Sequence, residues 1–140
     1  NQKLLYNHFI KNKAKDIKFF PLTEKFLTKE NFKKPFDITL LGMGQDGHFA
    51  SLFPDMINNN EAFNLDESQK ILITPPQGNP CLPRITMNLS LIMESINIVL
   101  IIKGKAKQDI FNKAQKDEDL PIHYLIKNRN KNFFVEKIDE

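Results

Sequence analysis

One cysteine, Cys81, in 140 residues excludes an internal disulfide and fits a reducing compartment, the cytoplasm. The three histidines, His8, His48 and His123, are scattered, so no spaced set of metal ligands stands out. Long hydrophobic runs are also lacking. The longest apolar stretches, Ile38 to Leu41 and Ile96 to Ile102, have the length of buried strands and fall short of the roughly 20 residues a membrane-spanning helix needs. Neither repeats nor an internal composition shift divide the chain, so residues 1–140 read as a single domain. No basic-then-apolar leader argues for export. No initiator methionine is present either: the chain opens on Asn1-Gln2-Lys3-Leu4-Leu5, which reads as the middle of a longer polypeptide and suggests a domain truncated at its N-terminus.

What is present is an ordinary globular composition, 41% hydrophobic and 26% charged. The net charge of +3 comes from lysines interleaved with Asp and Glu; Lys29 to Lys34 and Lys103 to Lys107 are the local concentrations. Such dispersal reads as a solvated surface rather than a nucleic-acid patch, although a modest positive field also attracts a phosphorylated substrate.

Apolar periodicity predicts a helix around Leu4, Leu5, Phe9 and Ile10. An extended segment is expected from Ile17 to Pro21, and a short helix from Phe26 to Phe32. Phe36 to Leu41 carries β-branched Ile38 and Thr39 between Pro35 and Gly42 and reads as a buried parallel strand. His48 to Phe53 is expected to make a helical turn or two before Pro54 stops it. Asn58 to Asn60 reads as a surface loop, Ile71 to Thr74 as a strand, Gln77 to Pro83 as a turn-rich connection, and Arg84 to Leu89 as extended. A short helix follows around Leu91 and Met93. Asn97 to Lys103 is the second strong strand; Ala106, Ile110, Phe111 and Ala114 then keep helical spacing to about Lys116. A helix over Pro121 to Ile126 and a strand over Asn132 to Ile138 close the chain. Strands alternating with helices predict an α/β fold with a mostly parallel sheet flanked by helices.

Open α/β sheets collect their sites at the carboxyl ends of strands. The first such end runs from Leu41 into Gly42-Met43-Gly44-Gln45-Asp46-Gly47-His48, which holds three of the five glycines. The spacing satisfies G-x-G-x-x-G, but Asp46 puts a negative charge where a pyrophosphate would sit and Pro54 truncates the helix that should follow. Asn58 to Phe63 is also no crossover helix toward a second strand, so a dinucleotide site is set aside. The glycines instead let the backbone bend so that Asp46 and His48 project together. A carboxylate two residues from an imidazole can orient it or favour its protonated form, which is general acid–base equipment.

The run from Phe36 through Gly42-Met43-Gly44-Gln45-Asp46-Gly47-His48 to Ser51-Leu52-Phe53-Pro54 resembles the signature of the 6-phosphogluconolactonases. Pro83-Arg84-Ile85-Thr86-Met87-Asn88-Leu89 resembles a second block of that family, and Ile98 to Lys107 a third. Leu120-Pro121 and Phe133-Phe134-Val135 are similar to its C-terminus. The resemblance covers nearly the whole chain. It implies a Rossmann-like three-layer arrangement, with the family's N-terminal part, including a glycine-rich phosphate loop, having no counterpart here. It also implies hydrolysis of 6-phospho-D-glucono-1,5-lactone, the second step of the pentose phosphate pathway, in the cytoplasm. The expected partner is this small sugar-phosphate lactone, with no nucleic acid, membrane, metal or cofactor; the oligomeric state stays open.

On that reading His48 is the catalytic base and Asp46 orients it. Backbone amides around Gly44 and Gly47 are candidate oxyanion donors. Gly104 lets the chain turn into a helix whose first N–H groups favour an anion; Lys107, matching the family's lysine, is the candidate phosphate or carbonyl contact, with Lys105 a weaker substitute. Arg84 suits a bidentate phosphate contact. Ser51 lacks a nucleophile elbow and reads as a capping or packing residue. Cys81 has no adjacent base to activate it, and His8 and His123 read as surface or satisfied histidines. Two other functions compete. A glucosamine-6-phosphate deaminase shares Asp46-Gly47-His48 but carries Asn-Glu-Pro afterward, where this chain has Ser51-Leu52-Phe53-Pro54 without a carboxylate. A non-catalytic fragment of the same fold would bind a second polypeptide and show no turnover.

Overall fold

The computed structural model describes residues 2–11, 14–23, 36–128 and 132–139. In chain order, helix α1 (Gln2–Leu5) continues as a π-helical turn (Tyr6–Ile10). Strand β1 (Ile38–Gly42), helix α2 (Asn60–Phe63) and strands β2 (Ile71–Ile73) and β3 (Ile85–Met87) follow. Helix α3 (Leu89–Met93), strand β4 (Asn97–Lys103), helices α4 (Lys105–Lys113) and α5 (Pro121–Lys127) and strand β5 (Phe133–Ile138) complete the order.

β4 is the centre of a parallel sheet with β1 on one side and β5 on the other. β2 and β3 form a separate antiparallel pair. The sheet is mostly parallel and flanked by helices, as the α/β alternation predicts. β4 is apolar from Ile98 to Ile102, and the pleat divides that run between two faces. Ile98, Leu100 and Ile102 are fully buried and join Leu41 of β1 against Phe49, Leu52, Phe63, Leu89, Ile92, Phe111, Ile122 and Leu125. Each such side chain contributes on the order of 1.5–3 kcal/mol by leaving water. The opposite face differs. Ile38 and Leu40 are each 64% exposed and Phe134 is 53% exposed, and the register sets Leu40, Val99 and Phe134 in one row across the three strands.

Several local expectations change. β1 is parallel as expected but buries only Leu41. His48 to Phe53 makes no helix. Phe49 bridges Met43 and Leu52, Ala50 takes a left-handed φ of 50°, and Pro54 opens a 3₁₀ turn (Pro54–Met56) instead of ending a helix. The reason is that proline's fixed φ and missing N–H suit the first helical position as well as they block an interior one. Asn59 is a cap rather than loop: its side chain accepts from the Glu61 amide at 3.0 Å and starts α2. Ile17 follows a turn closed by its amide to Ala14 O at 3.2 Å, and Lys18 to Pro21 belong to no helix, as an extended segment requires. The helix expected over Phe26 to Phe32 lies outside the described residues. The N-terminal helix exists, with Ile10 buried and Leu4, Leu5 and Phe9 exposed. No helix among the described residues is long and apolar enough to cross a membrane.

Candidate active site

The parallel pairing of β1 and β4 aligns Gly42 with Ile101, so both strands end on the same edge of the sheet. The glycine loop and the start of α4 therefore leave side by side. Between them lies an open cavity of about 490 Å³ lined in part by Leu40, Gly44, His48, Ala50, Lys103 and Lys107. His48 and Lys107, 59 positions apart in sequence, meet here by topology alone.

The loop is built to hold the imidazole. The Gly44 amide donates to His48 O at 2.8 Å and the Gly47 amide to Gly44 O at 3.2 Å. Asp46 Oδ1 accepts from the His48 amide at 3.2 Å and contacts His48 Nδ1 at 2.6 Å. A carboxylate only accepts, so Nδ1 is the donor, and in the neutral imidazole this arrangement puts the lone pair on Nε2, the tautomer a general base needs. The far side of the loop is tied to α5, whose Ile122 amide donates to Gly47 O at 3.0 Å. Gly47 itself has φ +79°, a region glycine adopts without a Cβ penalty.

Gly44 has a steric role. A Cβ at this position would collide with His48 Cε1 and Nδ1 and with Asp46 Oδ1. Gly44→Ala is thus expected to swing the imidazole away from Asp46, cutting activity by roughly 100-fold while the melting temperature changes little. Activity within a few-fold of the parent would refute the idea that this close approach sets the ring. The same hydrogen bonds correct an expectation: the Gly44 and Gly47 amides are spent inside the loop, so in this arrangement neither donates to an oxyanion.

The cationic wall is also clearer. Gly104 enters α4 with φ 86°, and the amides of the first turn have no partner within the helix. Lys107 lines the cavity, whereas Lys105 turns out to pair with Asp109 at 2.9 Å. Lys103, at the end of β4, lines the cavity too and was not singled out from sequence. Its signal was present: Lys103 and Lys107 bracket Gly104, one at the strand's last position and one in the helix's first turn. Neither lysine has an ion-pair partner among the described residues. Arg84 is not brought to this cavity. Its guanidinium lies 5.8 Å from the Phe53 ring centroid and donates to Gln77 O and Pro80 O. Ser51 donates its amide to Thr86 Oγ1 at 3.1 Å, a packing role. His123 is buried on α5 with Nδ1 2.9 Å from Ala114 O, away from the site. Cys81 is exposed. Among the described residues no group of three His, Cys, Asp or Glu side chains is arranged to hold a metal ion.

Residues 6–135 match the family described as glucosamine-6-phosphate isomerases/6-phosphogluconolactonase. A 6-phosphogluconolactonase from Caulobacter vibrioides is 31% identical over 138 residues, covering 91% of this chain and 59% of that protein. One from Helicobacter pylori is 31% identical over 139 residues, with 90% and 59% covered. The crystal structure of a 6-phosphogluconolactonase from Shewanella baltica superposes with a TM-score of 0.74 at 28% identity, covering 99% of this chain and 64% of that one. The chain thus spans about three fifths of the length of these curated relatives.

Proposed function

Because this chain belongs to the glucosamine-6-phosphate isomerase/6-phosphogluconolactonase family, we propose that the protein hydrolyses 6-phospho-D-glucono-1,5-lactone to 6-phospho-D-gluconate, with His48 as the base. The observation that carries this reading is one cavity shared by an Asp46-oriented imidazole and two lysines. His48 Nε2 takes a proton from water, whose oxygen adds to the ring carbonyl. The tetrahedral oxyanion then collapses, the bond from the carbonyl carbon to the ring oxygen breaks, and the imidazolium returns the proton to the departing alkoxide. A lactone is an activated ester, so this sequence uses neither metal nor covalent nucleophile. Asp46 holds the imidazole in one tautomer and stabilises its charged form between the two transfers.

Lys107, with Lys103 beside it, binds the phosphate, a dianionic handle remote from the reacting carbon. The reaction fits the cytoplasm, where the lone Cys81 stays reduced. The first test follows acid release from the lactone and ammonia release from glucosamine 6-phosphate, using the protein at its natural length. Acid without ammonia is expected, and ammonia without acid overturns the proposal. In the same assay Lys107→Ala should raise KM for the phosphorylated lactone by roughly 10- to 100-fold, the worth of a charged hydrogen bond of about 1.5–3 kcal/mol. Its kcat should change little, and hydrolysis of unphosphorylated gluconolactone should be unaffected. Equal losses on both lactones would assign Lys107 to the carbonyl instead of the phosphate.

A further inference from the structure

Arg84 and Phe53 stand outside the cavity yet reach the base in series. The Phe53 ring lies 4.5 Å, centroid to centroid, from the His48 imidazole at an interplanar angle of 33°. Phe53 is 4% exposed, and the Pro54 turn follows it at once, so the ring has little freedom to drift. The Arg84 guanidinium carbon sits 5.8 Å from the centroid of the same ring. Its Nε donates to Gln77 O at 3.4 Å and its Nη2 to Pro80 O at 3.1 Å. The main chain of Arg84 is held as well: its amide donates to Thr74 Oγ1 at 3.1 Å, and its carbonyl accepts from the Thr74 amide at 2.8 Å. Gly78 closes the assembly. A Cβ on it would come within 3.0 Å of Arg84 Nη2 and 3.1 Å of Phe53 Cζ, so the backbone lies directly against both groups.

The hydrogen bond from Nδ1 to Asp46 fixes one atom of the imidazole. It leaves the ring free to tilt about that contact, and a tilt moves Nε2, the atom that takes the proton. An aromatic neighbour in offset contact restricts the tilt, and a guanidinium near that neighbour's ring restrains the neighbour in turn. We infer that Phe53 and Arg84 are positioning residues for His48: Phe53 sets the plane of the imidazole, and Arg84, pinned by the 77–80 turn, holds Phe53 in place. This rests on His48 being the base, and it gives the charge of Arg84 a task other than phosphate binding. It also makes the 74–84 loop, which contributes no side chain at 77–84 to the cavity around His48, part of the machinery through the geometry it imposes.

The test reads His48 directly. In the folded full chain, the carbon-bound ring protons of His48 should resonate upfield under the Phe53 ring current. Phe53→Leu should return them to ordinary positions and Phe53→Tyr should preserve the shift. Arg84→Ala should move them partway, and Arg84→Lys, which lacks the planar fork for two carbonyls, should resemble Arg84→Ala. Kinetically, Phe53→Leu should lower kcat by roughly 10- to 100-fold with KM little changed. His48 resonances identical to the parent in Arg84→Ala and in folded Phe53→Leu overturn the inference. If Phe53→Leu does not fold, the partly exposed Arg84 site still decides the matter. Parent protein with the upfield signals but no lactone hydrolysis would defeat the proposed function while leaving the stack intact.

Discussion

Replacing His48 by alanine is expected to lower kcat for lactone hydrolysis by about 10²- to 10⁴-fold, the usual worth of a positioned general base. KM should change by no more than about threefold, because substrate grip is assigned to the lysine wall rather than the imidazole. The structure makes this a sharp expectation. His48 is partly exposed, its side-chain hydrogen bond goes to Asp46 within its own loop, and its ring meets the core at Phe53, so its loss leaves Phe49, Leu52, Leu100 and Ile122 in place. A melting temperature close to the parent would accompany the loss of rate. Steady-state kinetics beside a thermal melt separate the outcomes. Retained turnover in the folded variant would remove His48 from the chemistry, and loss of both turnover and fold would make it structural.

Asn88→Ala should lower stability by about 3 kcal/mol. Asn88 has no solvent exposure. Its Oδ1 accepts from the amides of Lys70 and Leu91 and from Ser90 Oγ, at 3.0, 3.1 and 3.2 Å. Its Nδ2 donates to the carbonyls of Glu61 and Ser68, each at 3.0 Å. The residue caps α3 and at the same time ties β3 to the 61–70 segment. That segment is fixed again from outside by Lys70, whose ammonium is held protonated above its ordinary range, first through its hydrogen bond to Glu61. Removing the amide forfeits a helix cap worth about 1 kcal/mol. It also strips partners from backbone groups, at about 1–3 kcal/mol for each that water does not reach. Asn88→Ser, which can still cap α3, should recover part of the loss. Denaturant unfolding measures both variants; a loss below about 1 kcal/mol for Asn88→Ala would show the hub to be redundant.

The elements most legible in sequence were those whose signal is local. The apolar run of Ile98 to Ile102, the spacing of Ala106, Ile110, Phe111 and Ala114, and Pro121 at a helix start need no distant partner, and the structure places β4, α4 and α5 there. The candidate base was legible for the same reason: Asp46, Gly47 and His48 are neighbours, and an Asp two residues from a His can bond it without help. Expectations failed where residue type does not decide the backbone or where the partner is distant. His48 to Phe53 carries helix-compatible residues, yet short-range bridges from Met43 to Phe49 and from Phe49 to Leu52, with Ala50 at φ 50°, turn it away from a helix. Phe53 and Arg84 are 31 positions apart, and nothing in either residue's surroundings announces that one will lie near the ring of the other.

From its residues alone the chain specified an α/β composition, a mostly parallel sheet, a glycine loop presenting an Asp–His pair, and a lysine at the start of the following helix. Tertiary structure alone decided that this lysine and Lys103 line one cavity with His48, and that the Arg84 guanidinium lies near the Phe53 ring. The physical reason is that a side chain's type is carried by its own position, whereas its partners depend on strand register. The pairing of Gly42 with Ile101 is a property of two segments joined through the whole core, and no window of sequence contains it.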